Sequence, residues 1–174
     1  APTLAEAYRD AGYITWASVS AAHLSHDKSG LGQGFERMNT PKAFQRDSMD
    51  TIAGLKEWLP DAAGQPLFIW LHLFDVHAPY APPREWKNMY YPEGADPYDE
   101  SLPEPVDWAS PKWDRRVRDL TYFEALYRSE ITYQDEQINE LLKDSRFNDA
   151  LIAFTSDHGE SLGAHGVFWD HREL

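Results

Sequence analysis

Acidic and imidazole side chains follow two apolar runs of this 174-residue sequence, and they are the residues best suited to chemistry. One run continues into Phe74-Asp75-Val76-His77-Ala78-Pro79-Tyr80, and the other into Thr155-Ser156-Asp157-His158-Gly159-Glu160. Both runs are typical of buried parallel strands. Ligand sites in open α/β sheets lie beyond the carboxyl ends of such strands, so we expect both polar segments at that edge of a sheet.

Asp157 and His158 are adjacent, and on a regular strand their side chains would point to opposite faces. A turn lets both reach one ion, and Gly159 permits the unusual backbone angles that such a turn needs. A carboxylate with an imidazole suits a borderline-to-hard divalent cation. The pattern therefore predicts Asp157 and His158 as metal ligands, although Ser156 or Asp157 could instead cap a short helix.

The segment after this pair adds two more imidazoles. Gly163-Ala164-His165-Gly166-Val167-Phe168-Trp169-Asp170-His171 is a glycine-rich loop, and loops tend to carry functional residues. The presence of His165 and His171 close behind Asp157 favours a functional site over a simple helix cap.

The elements that must position these groups follow from periodicity. Apolar positions at helical spacing predict helices, and β-branched, aromatic or continuous apolar runs predict strands. The predicted elements are a helix over 4–10 with a Thr3/Glu6 capping box, a strand over 13–19, a helix over 44–59, a buried strand over 67–74, a helix over 120–144 and a third buried strand over 150–155.

Strands alternating with helices predict an α/β fold with a partial, mostly parallel sheet flanked by helices. The length suits one domain, so we predict a single domain over 1–174. Within it, residues 75–116 form a long loop rich in Pro, Trp and Tyr, which is usually functional or flexible. The start at Ala1 and the lack of a closing element after His171 predict that this domain is incomplete.

Composition excludes several classes of function. The net charge of −13 argues against nucleic acid and against anionic membrane surfaces as partners, because both require Lys and Arg. The absence of cysteine excludes disulfides and thiolate metal sites. No apolar run is long enough to predict a membrane span.

Several segments together resemble one known family. They are Thr3–Glu6 with Ala11-Gly12-Tyr13, Leu71–Pro83, the helix positions Tyr127, Glu130-Ile131, Tyr133 and Asp135, and Thr155–Gly163 with His165-Gly166 and Trp169-Asp170-His171. In this order they resemble the sulfatase family of the alkaline phosphatase superfamily over nearly the whole chain. The resemblance implies a metal-dependent sulfuric ester hydrolase with an alkaline phosphatase-like core.

The resemblance also implies individual roles. Asp157 and His158 match two metal ligands, and the ion is expected to be Ca²⁺, with Mn²⁺ or Zn²⁺ also compatible with the pair. His77 matches a histidine that binds the sulfate group, and His171 falls near a basic residue that contacts the transferred group or the leaving oxygen. His165 is assigned to substrate binding or to loop stabilisation. Tyr80 is expected to line the substrate cleft or to stiffen its wall, and Asp75 to orient His77 or to fix a turn.

The departures from the family pattern matter for activity. The family's nucleophile is a formylglycine made in a Cys/Ser-x-Pro-x-Arg motif, and this sequence contains none. We expect that motif, and a strand with paired Asp ligands, upstream of Thr3. The chain by itself is therefore expected to be inactive, and self-association through exposed sheet surfaces is expected. The resemblance implies a periplasmic or secreted protein and a small-molecule or carbohydrate sulfate ester as substrate.

Two other functions stay open at this stage. A phosphonate or phosphodiester hydrolase, or a phosphoethanolamine transferase, shares the Asp-His-Gly-Glu pattern and the metal chemistry. A non-catalytic α/β binding module, complete as it stands, belongs to another class and would melt as a stable monomer.

Overall fold

The computed structural model describes residues 1–171, except for the side chains at 108 and 164. The predicted lack of a closing element falls on residues 172–174, which lie outside the described residues. The chain divides into two compact units. The first comprises Ala1–Asp75 and Gln134–Ser145, and the second comprises Val76–Tyr133 and the residues from Arg146 onward.

A parallel sheet forms the centre of the first unit. Its strands are β1 (Ile14–Val19), β2 (Arg37–Asn39) and β3 (Leu67–His72), in the spatial order β2-β1-β3. β1 pairs in parallel with both neighbours and aligns Ile14 with Leu67 and Val19 with His72. The α/β fold with a parallel sheet flanked by helices is thus confirmed. β3 lies at an edge and is half-buried along its length, so the prediction that it is buried on both faces is wrong.

Short helices surround this sheet. α1 (Leu4–Asp10) begins as predicted, because the Glu6 N–H donates to Thr3 Oγ1 at 3.1 Å and the Thr3 N–H donates to Glu6 Oε2 at 2.8 Å. α2 (His26–Ser29) is a single turn, and α3 covers Ser48–Lys56. Short 3₁₀ turns follow at Ala22–Leu24 and Leu59–Ala62.

The helix predicted over 44–59 is shorter at both ends. Gln45 forms a bridge with Ala21, and the Arg46 N–H donates to Ser20 O, so the chain is extended there. Asp47 then caps α3 by accepting the Asp50 N–H at 2.9 Å. Residues 44–46 therefore do not join the helix, because the backbone of Gln45 and Arg46 pairs with that of Ala21 and Ser20.

The second unit has an aromatic core beside the first part of α4 (Thr121–Leu142). Its buried members are Tyr80, Tyr91, Val117, Tyr122, Phe123, Ala125 and Leu126. Residues 121–133 of α4 belong to this unit, and residues 134–142 belong to the first. Within 75–116 the structure has a 3₁₀ turn at Asp107–Ala109, and further turns lie at Ser145–Phe147 and Ala164–Gly166. No helix among residues 1–171 is both long and apolar enough to cross a membrane.

The predicted third buried strand is wrong. Residues 150–155 pair with no strand within the described part of the chain. Leu151 is 95% exposed and Phe154 is 80% exposed, which is unusual for such large apolar side chains. The run has the composition of a strand, but strand structure needs a hydrogen-bonded neighbour, and periodicity cannot show whether one is present.

This exposed apolar segment is where we expect self-association. Replacing Leu151 and Phe154 together by Ser removes the apolar area that a second copy would cover. The unchanged chain should sediment as a mixture that grows heavier with concentration, whereas the double variant should sediment as a monomer. A matched control replaces Leu4 and Met89, which are also exposed, by Ser and should behave like the unchanged chain. Equal sedimentation of all three proteins would contradict the expectation.

A buried tyrosine gives the second unit a predictable response to alkali. The Tyr91 hydroxyl donates to Asp119 Oδ2 at 2.9 Å, and burial, followed by this carboxylate, raises the pKa of Tyr91 to about 12. The ordinary tyrosine pKa is about 10, so the unfolded chain loses this proton first as pH rises. Tyr91 therefore contributes stability that is complete below about pH 10 and disappears as pH approaches 12.

Comparison with Tyr91→Phe isolates that contribution, because the other titrating groups are the same in both chains. Near pH 8 the variant should be less stable by about 1 kcal/mol, the usual loss for one hydrogen bond. Urea unfolding at pH 8, 10 and 11.5 should show this difference shrinking as pH rises. A difference that stayed constant over the range would contradict the raised pKa.

Candidate functional site

Three histidines from separate parts of the second unit converge. The rings of His158 and His171 are stacked with centroids 4.1 Å apart and planes 15° apart. The ring of His77 lies 5.6 Å from that of His171 and 6.3 Å from that of His158. His77 and His171 are more than 90 positions apart in sequence, so tertiary structure alone brings them together. The cluster is half-buried, which leaves it accessible to a ligand.

A carboxylate completes the group. Glu160 joins His77 and His171 in a set whose three potential ligand atoms all lie within 4.8 Å of one another. Sequence reasoning did not assign Glu160 to the site. The available signal was its position in the Asp-His-Gly-Glu segment, three residues after Asp157. His77, His158 and His171 together with Glu160 form the histidine cluster.

A tight hairpin returns His171 to the side of Glu160. The Ser161 N–H donates to Asp170 O at 2.8 Å, and the Trp169 N–H donates to Ser161 O at 2.6 Å. Leu162 and Phe168 form an antiparallel bridge just inside these bonds. The turn requires Gly163, whose φ is 104° and whose missing Cβ would lie 2.6 Å from Phe168 Cε1. The glycine-rich loop therefore positions the cluster as well as contributing to it.

The turn that carries His77 is held by α4. The Ala81 N–H donates to Glu130 Oε1 at 2.6 Å, and Glu130 is a buried residue of that helix. The imidazole of His77 is oriented by its own turn, since Nδ1–H donates to Ala78 O at 2.6 Å. This hydrogen bond places the lone pair of the neutral ring on Nε2. His158 is oriented in the same way, with Nδ1 3.0 Å from Gly159 O.

Tyr80 connects the turn that carries His77 to the segment that carries Glu160. It is only 4% exposed, and its hydroxyl donates to Glu160 Oε2 at 2.9 Å. Its ring contacts Trp113, Tyr127 and Trp169. Burial and then the Glu160 carboxylate raise the pKa of Tyr80, so it remains a neutral donor at every working pH. The structure thus uses Tyr80 to hold Glu160 in place.

The predicted metal ligands Asp157 and His158 lie at the edge of the cluster. Asp157 Oδ2 is 3.7 Å from His158 Nε2, and the Asp157 side chain is 85% exposed. Two ligands about 2.0–2.4 Å from one ion lie about 3–4 Å apart, so this spacing fits a shared divalent cation. The backbone bends at Asp157, in keeping with the predicted turn, although Gly159 does not adopt a positive φ. Asp157 is exposed and His158 is half-buried, and the run over 150–155 directly before them is not a strand in the described structure.

His165 and Asp75 are not members of the histidine cluster. His165 is exposed, has a φ of 55°, and makes no hydrogen bond, ion pair or ring contact with the cluster in the described structure. Asp75 belongs to the first unit, where its Oδ1 accepts the Ser48 N–H at 2.9 Å and the Ser48 hydroxyl at 3.2 Å. Its other oxygen is buried without a partner among the described residues, and burial raises the pKa of this carboxyl. Both hydrogen bonds hold the start of α3, and the orientation of His77 by Asp75 stays a prediction.

The cluster has the composition of a site for an anionic ester and a cation. Histidines donate to sulfate or phosphate oxygens when protonated and bind metals when neutral. A family model described as "Sulfatase" matches residues 1–172 of the chain. The chain belongs to the sulfatase family. The resemblance read from the motifs is thereby confirmed.

Individual relatives agree with this assignment. The chain is 29% identical to an arylsulfatase of Clostridium perfringens (strain 13 / Type A) over 123 residues, which cover 60% of this chain and 24% of the relative. It is 27% identical to a choline-sulfatase of Rhizobium meliloti (strain 1021) over 124 residues, which cover 63% of this chain and 24% of that protein. The chain therefore spans about a quarter of the length of the curated relatives it matches.

A solved structure shares the fold. The C-terminal periplasmic domain of EcEptC from Escherichia coli superposes with a TM-score of 0.58 and 16% sequence identity, covering 83% of this chain and 38% of that one. At this identity the likeness concerns the fold. Sulfatases generally use a divalent metal, and the described residues include a His/Glu set able to hold one.

Proposed function

We propose that this chain supplies the sulfate-recognising part of a sulfuric ester hydrolase site. The observation that carries the proposal is the convergence of His77, His158 and His171 on one accessible spot in a chain of the sulfatase family. A sulfate ester presents several oxygens that accept hydrogen bonds, and two or three imidazole donors can surround them. The Clostridium and Rhizobium relatives named above support sulfate over other esters.

His77 is the principal sulfate ligand in this proposal. Its Nδ1–H is committed to Ala78 O, so a protonated ring directs Nε2–H away from its own turn toward a bound oxygen. His171 approaches from the hairpin and contacts the transferred group or the leaving oxygen. Because these donors are fixed before substrate binds, they stabilise charge that grows during ester cleavage without first having to reorganise.

Asp157 and His158 are the residues that would hold a divalent cation, and Ca²⁺ is the ion we propose. When bound, such an ion supplies Lewis-acid stabilisation of the charge on the ester oxygens. The side chains themselves contribute position, since His158 stacks on His171 and thereby links the proposed cation ligands to the sulfate ligands. His165 is proposed to contact the alcohol portion of the substrate from the exposed side.

The substrate, the nucleophile and the cellular location of the enzyme are also part of the proposal. We propose a small-molecule or carbohydrate sulfate ester as substrate and a formylglycine nucleophile, which this sequence does not encode. A periplasmic or secreted location is proposed, supported by the family and by the periplasmic origin of the EcEptC domain. The 174-residue chain alone is expected to have no turnover.

The test compares substrates in a protein of the relatives' length that contains this chain. It should hydrolyse 4-nitrophenyl sulfate with a higher kcat/KM than 4-nitrophenyl phosphate, bis(4-nitrophenyl) phosphate or 4-nitrophenyl phenylphosphonate. A preference for the phosphodiester or phosphonate would move the function to phosphoryl chemistry, the alternative that the Asp-His-Gly-Glu segment allows. A folded protein that hydrolyses neither the sulfate ester nor any of the phosphorus esters would favour a binding module.

Sulfate binding can also be tested on the chain itself. Titration with sodium sulfate should shift the imidazole NMR signals of His77 and His171 in a saturable manner. The signals of His23 and His26, which belong to the first unit, are internal controls and should move only with bulk ionic strength. Equal shifts of all these histidines would contradict a specific sulfate site.

A further inference from the structure

We infer that His77, Glu160 and His171 form a binding site for Zn²⁺, separate from the Asp157/His158 pair. This site goes beyond the proposed function, in which His77 and His171 bind sulfate and only Asp157 and His158 bind a metal ion. Its basis is the set of two imidazoles and one carboxylate whose ligand atoms lie within 4.8 Å of one another. Two histidines and a glutamate are a known zinc donor set that leaves one position open.

The ligands are oriented before any ion binds. The hydrogen bond from His77 Nδ1–H to Ala78 O assigns the lone pair of the neutral ring to Nε2. Such bonds from the second nitrogen are the usual partners of metal-ligating histidines, because they fix the tautomer and the ring orientation. Glu160 is fixed in the corresponding way, because its Oε2 accepts the Tyr80 hydroxyl at 2.9 Å.

The backbone of the site is also constrained. His171 is held beside Glu160 by the two hairpin bonds between Ser161 and the pair Trp169 and Asp170. The Trp169 Nε1–H donates to Ala109 O at 2.7 Å and anchors the end of the hairpin. Ligands of a tetrahedral zinc ion lie about 3.4 Å apart, so side-chain rotations that bring the three atoms closer by at most about 1.4 Å let them bind one ion and leave its fourth position open.

The donor set selects the ion. Ca²⁺ takes six to eight oxygen ligands, whereas two of the three donors here are imidazole nitrogens. Borderline ions such as Zn²⁺ and Co²⁺ favour imidazole, so they should bind here while Ca²⁺ does not compete. Since the same histidines are proposed to hold sulfate, zinc and sulfate should exclude each other at this site.

Calorimetric titration of the 174-residue chain with ZnCl₂, in the absence of any ester, tests the inference. One Zn²⁺ should bind per chain, and excess Ca²⁺ should not displace it. Losing a supporting hydrogen bond typically weakens metal binding about 10–100-fold, which is the loss expected for Tyr80→Phe. His77→Ala, His171→Ala and Glu160→Gln remove a ligand itself and should weaken binding by about 100-fold or more.

His26→Ala is the matched control, because it removes an exposed imidazole of the first unit and should leave Zn²⁺ affinity unchanged. Zinc affinity that survives all three ligand variants, or falls equally in the control, would overturn the inference. If a variant does not fold, the Co²⁺ spectrum of the unchanged chain decides. Intense visible bands of a four-coordinate ion support the site, and the weak bands of hydrated Co²⁺ overturn it. No outcome depends on sulfatase activity, so the two proposals can fail separately.

Discussion

Replacing His77 by Ala is expected to lower kcat/KM for an aryl sulfate about 10²–10³-fold, the usual effect of removing one fixed donor to a developing anion. The expectation applies to a protein of the relatives' length that contains this chain. His77 is placed by the Ala81–Glu130 hydrogen bond and oriented by Ala78 O, so its Nε2 position is fixed independently of the substrate. Alanine leaves the Ala81–Glu130 hydrogen bond in place and removes the imidazole, including its bond to Ala78 O.

The separate effects on kcat and KM show whether His77 acts in the transition state or only in substrate binding. A donor that acts mainly in the transition state should reduce kcat and kcat/KM together, whereas a mere ground-state contact would raise KM alone. His23→Ala is the control, since it removes an exposed histidine of the first unit that has no part in the proposed site. A loss smaller than about tenfold in the folded His77→Ala enzyme would remove His77 from the proposed mechanism.

Replacing Trp16 by Ala is expected to destabilise the first unit by about 3–5 kcal/mol. Trp16 is 2% exposed on β1, the central strand of the sheet. Its ring meets Trp58 edge-on at 5.9 Å, and the Arg37 guanidinium lies 5.2 Å from its centroid. The substitution therefore removes a large buried area, an aromatic pair and a cation–π contact at once.

Urea unfolding followed by far-UV circular dichroism measures this loss. Total stabilities of about 5–15 kcal/mol are typical, so the variant should unfold at a much lower urea concentration. Phe44→Ala is the matched control, because Phe44 also belongs to the first unit and is 70% exposed, so its removal leaves a smaller cavity. Equal losses for both substitutions would show that burial of Trp16 does not dominate the stability of this unit.

Local sequence was sufficient where the determining contacts are close along the chain. The capping box of Thr3 and Glu6 fixed the start of α1, and the β-branched and aromatic run fixed β1. The same holds for the long helix α4, whose apolar spacing runs over six turns. The motif around Asp157 and His158, with His77 and the glycine-rich loop, was enough to indicate the sulfatase family, which the family match over residues 1–172 confirms.

Tertiary structure decided what depends on distant partners. The run over 150–155 has the composition of a buried strand, yet Leu151 and Phe154 are exposed, since burial requires a neighbour that composition does not encode. Glu160 joins the site because a buried hydroxyl from Tyr80, 80 positions away, holds it. Asp75 accepts the N–H of Ser48, which lies 27 positions away, and local spacing does not predict this contact. The sequence by itself determined the family and the reactive residue types, while long-range contacts, whose geometry is not written in local spacing, decided which of those residues meet.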